Sequence, residues 1–199
     1  EGELAVVVGR AMKSIPLDSV LDHVAGYAPA NDVGLHDFRH ADRGAMLRVK
    51  GQDGFLPIGP ELVPAAEFVP TDYTLRTILN GKVVQEATAD DLLFSVAYQL
   101  ADLCRVITLE PGDVVLTGTP ANSRPMEPGD VVEVEITGLG RLRTPEGGGT
   151  AARNPLRVAV VIDWANFVVP PGEPMAFAGE LAESLIKVLD WASDPGIAG

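Results

Sequence analysis

TLRTILNGKVVQEAT, residues 74–88, sets two runs of alternating side chains on either side of Asn80-Gly81. Asn-Gly tolerates the two positive φ angles of a type I′ turn, so the stretch reads as an antiparallel hairpin. A lone hairpin is marginal in water and needs further strands and a packing face. The downstream sequence supplies both. LEPGDVVLTGTP (109–120) and MEPGDVVEVEITGLGRL (126–142) each carry a P-G-D turn feeding a strand, and the repeated PGDVV reads as one turn used twice.

Upstream, ELAVVVG (3–9) reads as a strand, SVLDHVAGY (19–27) as a short helix and YAPANDV (27–33) as an extended segment. GLHDFRHADRGAM (34–46) is too charged for a core and reads as a polar loop; LRVKGQDGFLPIGPELVP (47–64) combines a strand with D-G and G-P turns. ADDLLFSVAYQLADLCRVI (89–107) has apolar residues at helical spacing, with Asp90 and Asp91 in the first turn, where they suit the helix dipole. The sum is a strand-dominated α+β domain with short flanking helices. After Arg143 the character changes: residues 144–155 read as a Gly-rich linker, and 156–199 as an appendage with a strand at 156–162 and an amphipathic helix at 176–192.

Composition sets limits on partners. The 199 residues allow one sizeable core, and 21 glycines and 16 prolines with 6% aromatics fit many short strands and turns. A net charge of −13 argues against nucleic-acid and anionic-membrane partners, whose footprint is a basic face. No apolar run reaches the roughly 18 residues of a membrane span. The single cysteine, Cys104, lies in an apolar helical pattern and reads as a buried small hydrophobe, which fits a reducing, cytoplasmic setting.

EGELAVVVGR (1–10) poses a chemical question. On a strand, Glu1 and Glu3 project to one face while Leu4, Val6 and Val8 take the other. A hard divalent cation between the two carboxylates explains the pair, with Asp32 as the best third ligand. Read from spacing alone, a solvated strand edge explains it as well.

Six blocks in order (EGELAVVVGR, HVAGYAPANDV, LRVKGQDGFLPIG, LNGKVVQEATADDLLFS, LEPGDVVLTGTP and PGDVVEVEITGLGRL) resemble the fumarylacetoacetate hydrolase family over residues 1–143. The R-V-K-x-x-D-G-F run is most similar to its branch of isomerase/decarboxylases in homoprotocatechuate (4-hydroxyphenylacetate) breakdown. The resemblance implies a mixed β-roll, a homodimer, and a Mg²⁺ or Mn²⁺ ion held by Glu1, Glu3 and Asp32. It assigns Lys50 to the substrate's carboxylate or developing enolate oxygen, and Thr119 to a substrate carboxylate, with Gly118 allowing close backbone approach. Gln52 and Asp53 fit the same pocket, although Asp53-Gly54 is equally well explained as a turn.

The implied chemistry acts on a 2-oxo or 2-hydroxydienoic dicarboxylate, by decarboxylation or isomerisation through a metal-stabilised enolate. An acylpyruvate-type hydrolase or oxaloacetate decarboxylase is the alternative within the family, and a non-catalytic metal-binding or assembly subunit the alternative outside it. Where many relatives have an R-D pair, this chain has His36-Asp37, so a carboxylate contact is altered or falls to Arg39, Arg43 or Arg48. His36 and His40 have the chemistry of a general acid/base and equally suit a solvated loop, while His23 reads as structural. The family's lid, with a His and Glu upstream of E-x-E, is expected to lie outside these 199 residues.

Overall fold

The computed structural model describes residues 1–145 and Ala159–Val161. Two sheets carry the fold. The first has five strands in the order β3-β2-β1-β6-β9: β1 (Gly2–Val8), β2 (Val24–Asn31), β3 (Val63–Pro64), β6 (Val114–Leu116) and β9 (Ala159–Val161). The second has the order β5-β4-β7-β8: β4 (Thr74–Leu79), β5 (Lys82–Thr88), β7 (Val131–Ile136) and β8 (Gly140–Pro145). All named pairings are antiparallel except β6 with β9. Three helices complete the described elements: α1 (Arg39–Asp42), α2 (Leu47–Lys50) and α3 (Val96–Val106), with isolated 3-10 turns between strands. None of them is long and apolar enough to cross a membrane.

The hairpin forms as its sequence requires. Asn80 and Gly81 adopt φ of 49° and 80°, and the Asn80 side chain also bonds Asp130 and the amide of Val131, tying the turn to β7. The two PGDVV copies close identically. Asp113 and Asp130 each accept the amide of the glutamate three residues back (2.7 and 2.8 Å), and Gly112 and Gly129 take φ of 95° and 98°.

β1 is the axis of the molecule and is buried on both faces. Leu4, Val6 and Val8 enter the main core with Leu75, Leu100, Leu103, Val134 and Ile136, joining both sheets to α3. Ala5 and Val7 enter a smaller cluster with Ala30, Val114 and Leu116. Each fully buried aliphatic side chain contributes on the order of 1.5–3 kcal/mol, so this strand anchors both layers.

Three local expectations are corrected. The helix expected over 19–27 shrinks to a 3-10 turn at Val20–His23, because Val24–Asn31 pairs along β1 as β2. LRVK is not a strand but α2, since the Asp42 carboxylate accepts the amides of Arg48 (2.6 Å) and Val49 (3.0 Å) and so caps a helical turn. The helix expected over 89–107 is split: Thr88 and Asp91 form a capping box on a 3-10 turn, and α3 starts afresh at Ser95, whose hydroxyl accepts the Tyr98 amide. The strand expected at 156–162 has Ala159–Val161 paired with β6. The linker beyond Pro145 and the helix expected at 176–192 lie outside the described residues.

Gly26 in β2 lets β3 approach: a Cβ there would stand 2.3 Å from the backbone oxygen of Val63. A backbone atom has no rotamer with which to move aside. Gly26→Ala is therefore expected to cost about 1–3 kcal/mol, read as a lower urea-unfolding midpoint; a wild-type midpoint would show that β3 is not held against β2.

Candidate functional site

Strand register builds the site at the amino-terminal end of β1. Pairing with β2 sets Gly2 opposite Asn31, so that the Asp32 amide bonds the Glu1 carbonyl at 2.8 Å. Pairing with β6 on the other side sets Ala5 opposite Leu116, which runs Thr117, Gly118 and Thr119 past Leu4, Glu3 and Gly2. Thr117 donates its hydroxyl to Leu4 O (3.2 Å), Gly118 its amide to Glu3 Oε2 (2.7 Å) and Thr119 its hydroxyl to Gly2 O (3.0 Å). Gln85 from β5 donates to Thr119 Oγ1 at 3.2 Å and to Pro120 O.

The cap that forms α2 has a consequence at a distance: it turns Val49 and Lys50 inward. The Lys50 ammonium lies 2.7 Å from Asp32 Oδ2, bonds the Asp32 carbonyl at 3.2 Å, and pairs directly with Glu1 Oε2. Glu3 is 0% and Asp32 1% exposed. Burial pushes the Asp32 carboxyl above its ordinary range, and the facing Lys50 offsets only part of this. Burial acts the same way on Glu1, but the Lys50 ammonium and its other positive neighbours outweigh it and hold this carboxyl below its ordinary value. Lys50 itself is pushed down by burial and more than restored by the two carboxylates, ending above its ordinary value.

The residues singled out from the sequence thus divide. Glu1, Asp32 and Lys50 form one ion-paired cluster, Glu3 stands beside it on the Gly118 amide, and His36 approaches Glu1 Oε1 at 3.8 Å with a 47% exposed side chain. Arg48 pairs outward with Asp42 at 3.5 Å, Gln52 bonds back to the Arg48 carbonyl, and Asp53 is exposed, so these three stand apart from the cluster.

From Glu1 a cleft of ≈ 590 Å³ opens between β5, the 117–123 segment and the start of α3. Tyr73, Gln85, Phe94 and Gln99 line it and were not singled out from the sequence. The signal was there: Gln99 occupies an inward position of an apolar helix, where a polar side chain needs partners. Its amide nitrogen donates to Phe94 O (2.9 Å) and Thr117 O (3.2 Å), which clamps the Thr117-Gly118 peptide from the side opposite Glu3.

As they stand, no three acidic, histidine or cysteine side chains among the described residues are arranged to hold a metal ion. The donor chemistry nevertheless fits one. Glu1, Glu3 and Asp32 bring three buried or half-buried carboxylates to one end of β1, and carboxylate oxygens are the donors Mg²⁺ and Mn²⁺ take.

Comparison with known proteins gives a consistent picture. Residues 1–145 match the family described as Fumarylacetoacetate (FAA) hydrolase C-terminal. The 4-hydroxyphenylacetate degradation bifunctional isomerase/decarboxylase of Salmonella dublin is 41% identical over 143 residues, which span 71% of this chain and 33% of that protein. The structure of 2-hydroxyhepta-2,4-diene-1,7-dioate isomerase from Mycobacterium marinum superposes with a TM-score of 0.70 at 40% identity, covering 75% of this chain and 59% of the other. Fumarylpyruvate hydrolase from Pseudomonas aeruginosa, solved with Mn²⁺ and pyruvate, gives a TM-score of 0.69 at 33% identity over 73% of this chain and 64% of the other. The chain therefore spans between a third and two thirds of the length of these relatives.

Lys50 keeps two buried carboxylates from facing each other uncompensated. Lys50→Met is expected to cost the metal-free protein about 3–5 kcal/mol in urea unfolding, the penalty for stranding buried charge. Unchanged stability would show that the ammonium does not bridge Glu1 and Asp32.

Proposed function

The chain belongs to the fumarylacetoacetate hydrolase family, and from that premise we propose that it is a divalent-metal-dependent isomerase/decarboxylase acting on 2-oxo (2-hydroxydienoic) dicarboxylates of aromatic catabolism. The observation that carries this reading is the Lys50 ammonium set between Glu1 and Asp32, with Glu3 alongside, at the mouth of a cleft. Relatives named as isomerases and decarboxylases of such compounds, and a Mn²⁺-bound hydrolase of similar fold, support it.

In this reading Glu1, Glu3 and Asp32 hold Mg²⁺ or Mn²⁺. Such an ion supplies Lewis-acid stabilisation of negative charge on the substrate's 2-oxo oxygen. Lys50 provides a fixed positive charge beside the same oxygen or the adjacent carboxylate, preorganised by its two ion pairs so that little rearrangement accompanies charge development. His36, whose Nε2 lies 3.8 Å from Glu1 Oε1, is the group proposed to receive or return a proton at the substrate carbon. Further carboxylates of a dicarboxylate substrate find cations along the 39–50 segment, which presents Arg39, Arg43 and Arg48 to solvent. Homodimerisation is part of the same proposal.

Three measurements test it. CO₂ release from 5-carboxymethyl-2-oxohex-3-ene-1,6-dioate, with oxaloacetate and an acylpyruvate alongside, is expected to require Mg²⁺ or Mn²⁺ and to stop with EDTA; metal-independent turnover, or none with any of them, would overturn the assignment. Asp32→Ala is expected to weaken Mn²⁺ binding by more than about tenfold. Lys50→Met, assayed on folded Mn²⁺-loaded protein, should lower turnover far more than Mn²⁺ affinity, and an equal loss of both would remove Lys50 from the substrate.

A further inference from the structure

Between Asp32 and α2 the chain is pinned on both sides of Gly34. The Val33 amide donates to the carbonyls of Asn31 and Phe55 (both 3.0 Å), and the Leu35 amide donates to the carbonyl of Val49 in α2 at 2.9 Å. Gly34 takes no left-handed φ, so the backbone does not demand glycine here. Its surroundings do.

A Cβ at residue 34 would stand 3.0 Å from both Cδ2 and Nε2 of His36 and 3.2 Å from Cε of Lys50. Non-bonded carbon atoms rest at about 3.5–4.0 Å, so a methyl group at this point requires a neighbour to move. The two neighbours differ in their freedom to do so. Lys50 has a side chain 6% exposed, and its ammonium is tied to Glu1, to Asp32 Oδ2 and to the Asp32 carbonyl. The His36 side chain is 47% exposed and has solvent beside it. Gly34 therefore forms a niche, and what occupies it is the edge of the imidazole that carries Nε2, the atom 3.8 Å from Glu1 Oε1.

We propose that Gly34 is a positioning residue: the absence of a side chain at position 34 seats the His36 imidazole beside the Lys50 stem and Glu1, and so sets where His36 meets the substrate. The inference rests on the role proposed above for His36 and adds the feature that fixes its place. His36 opens an exposed 3-10 turn, His36–Phe38, so an imidazole expelled from the niche swings into water. Glu1, Glu3, Asp32 and Lys50 stay where they are. A displacement of about 1 Å at a reacting group can cost on the order of a hundredfold in rate. A small side chain at residue 34 is thus expected to act on turnover and to spare ion binding.

Two readouts on the full 199-residue chain test this. In the isotopically labelled, metal-free protein, a nuclear Overhauser contact is expected between Gly34 Hα and His36 Hδ2. Its absence overturns the niche, and the measurement needs no variant, so it decides the matter even if Gly34→Ala fails to fold. With Mn²⁺ and 5-carboxymethyl-2-oxohex-3-ene-1,6-dioate, Gly34→Ala is expected to lower kcat about tenfold while KM and Mn²⁺ affinity hold. In a His36→Ala background the same substitution should have no further effect. A further loss there would mean that the methyl group acts through Lys50, and wild-type kcat in Gly34→Ala would mean that the niche positions nothing; either result overturns the proposal. The Overhauser contact without turnover of any 2-oxo acid would sink the enzyme reading and leave the niche standing, whereas metal-dependent turnover without the contact would do the reverse.

Discussion

A buried ammonium between two carboxylates is the interaction on which this site depends. Carboxylates taken out of water repel each other and push their own protonation upward unless a cation lies close. Lys50 meets that need for Glu1 and Asp32, and it reaches them only because Asp42 caps the helical turn on which Lys50 sits. A largely buried carboxylate at residue 42 thereby sets the position of a buried base eight residues on. The pair is a poor source of net stability, since desolvation consumes most of the attraction. Its value is positional: it fixes a positive charge and two anionic donors at one point.

The same economy governs the strand framework. β1 contributes apolar side chains to two clusters and acids to the site, and its two neighbours deliver Asp32 and the Thr117–Thr119 run by register alone. A one-residue slip of β1 would exchange its two faces, setting Glu1 and Glu3 against the main core and taking Leu4, Val6 and Val8 out of it. Burial on both faces makes that slip expensive, so precision at the site follows from packing in the core.

Much of this was legible in local sequence. The Asn80-Gly81 turn, the twin PGDVV turns and the apolar period of α3 are dictated by residues within a few positions of one another, and backbone sterics allow each essentially one solution. The pairing of Glu1 with Glu3 on one face followed from strand period, and their kinship with Asp32 and Lys50 from resemblance to a family. Legibility failed where a distant partner overrode local preference. Val24–Gly26 left a helical pattern because β1 offered a ladder, and LRVK left a strand pattern because Asp42 captured its amides.

The amino-acid sequence by itself determined that this is a strand-dominated α+β chain, where its turns fall, and which acids share a strand face, because those properties depend on φ preferences and on a two-residue period. Only the tertiary structure decided that Lys50 points inward while Arg48 and Gln52 do not, that Gln85 and Gln99 clamp the Thr117–Thr119 segment, and that the side-chain oxygen of Gln99 is buried without a hydrogen-bond partner. Those facts depend on which groups meet across tens of residues after strands pair. Whether a buried polar atom is satisfied is a property of the assembled interior, and no stretch of chain contains it.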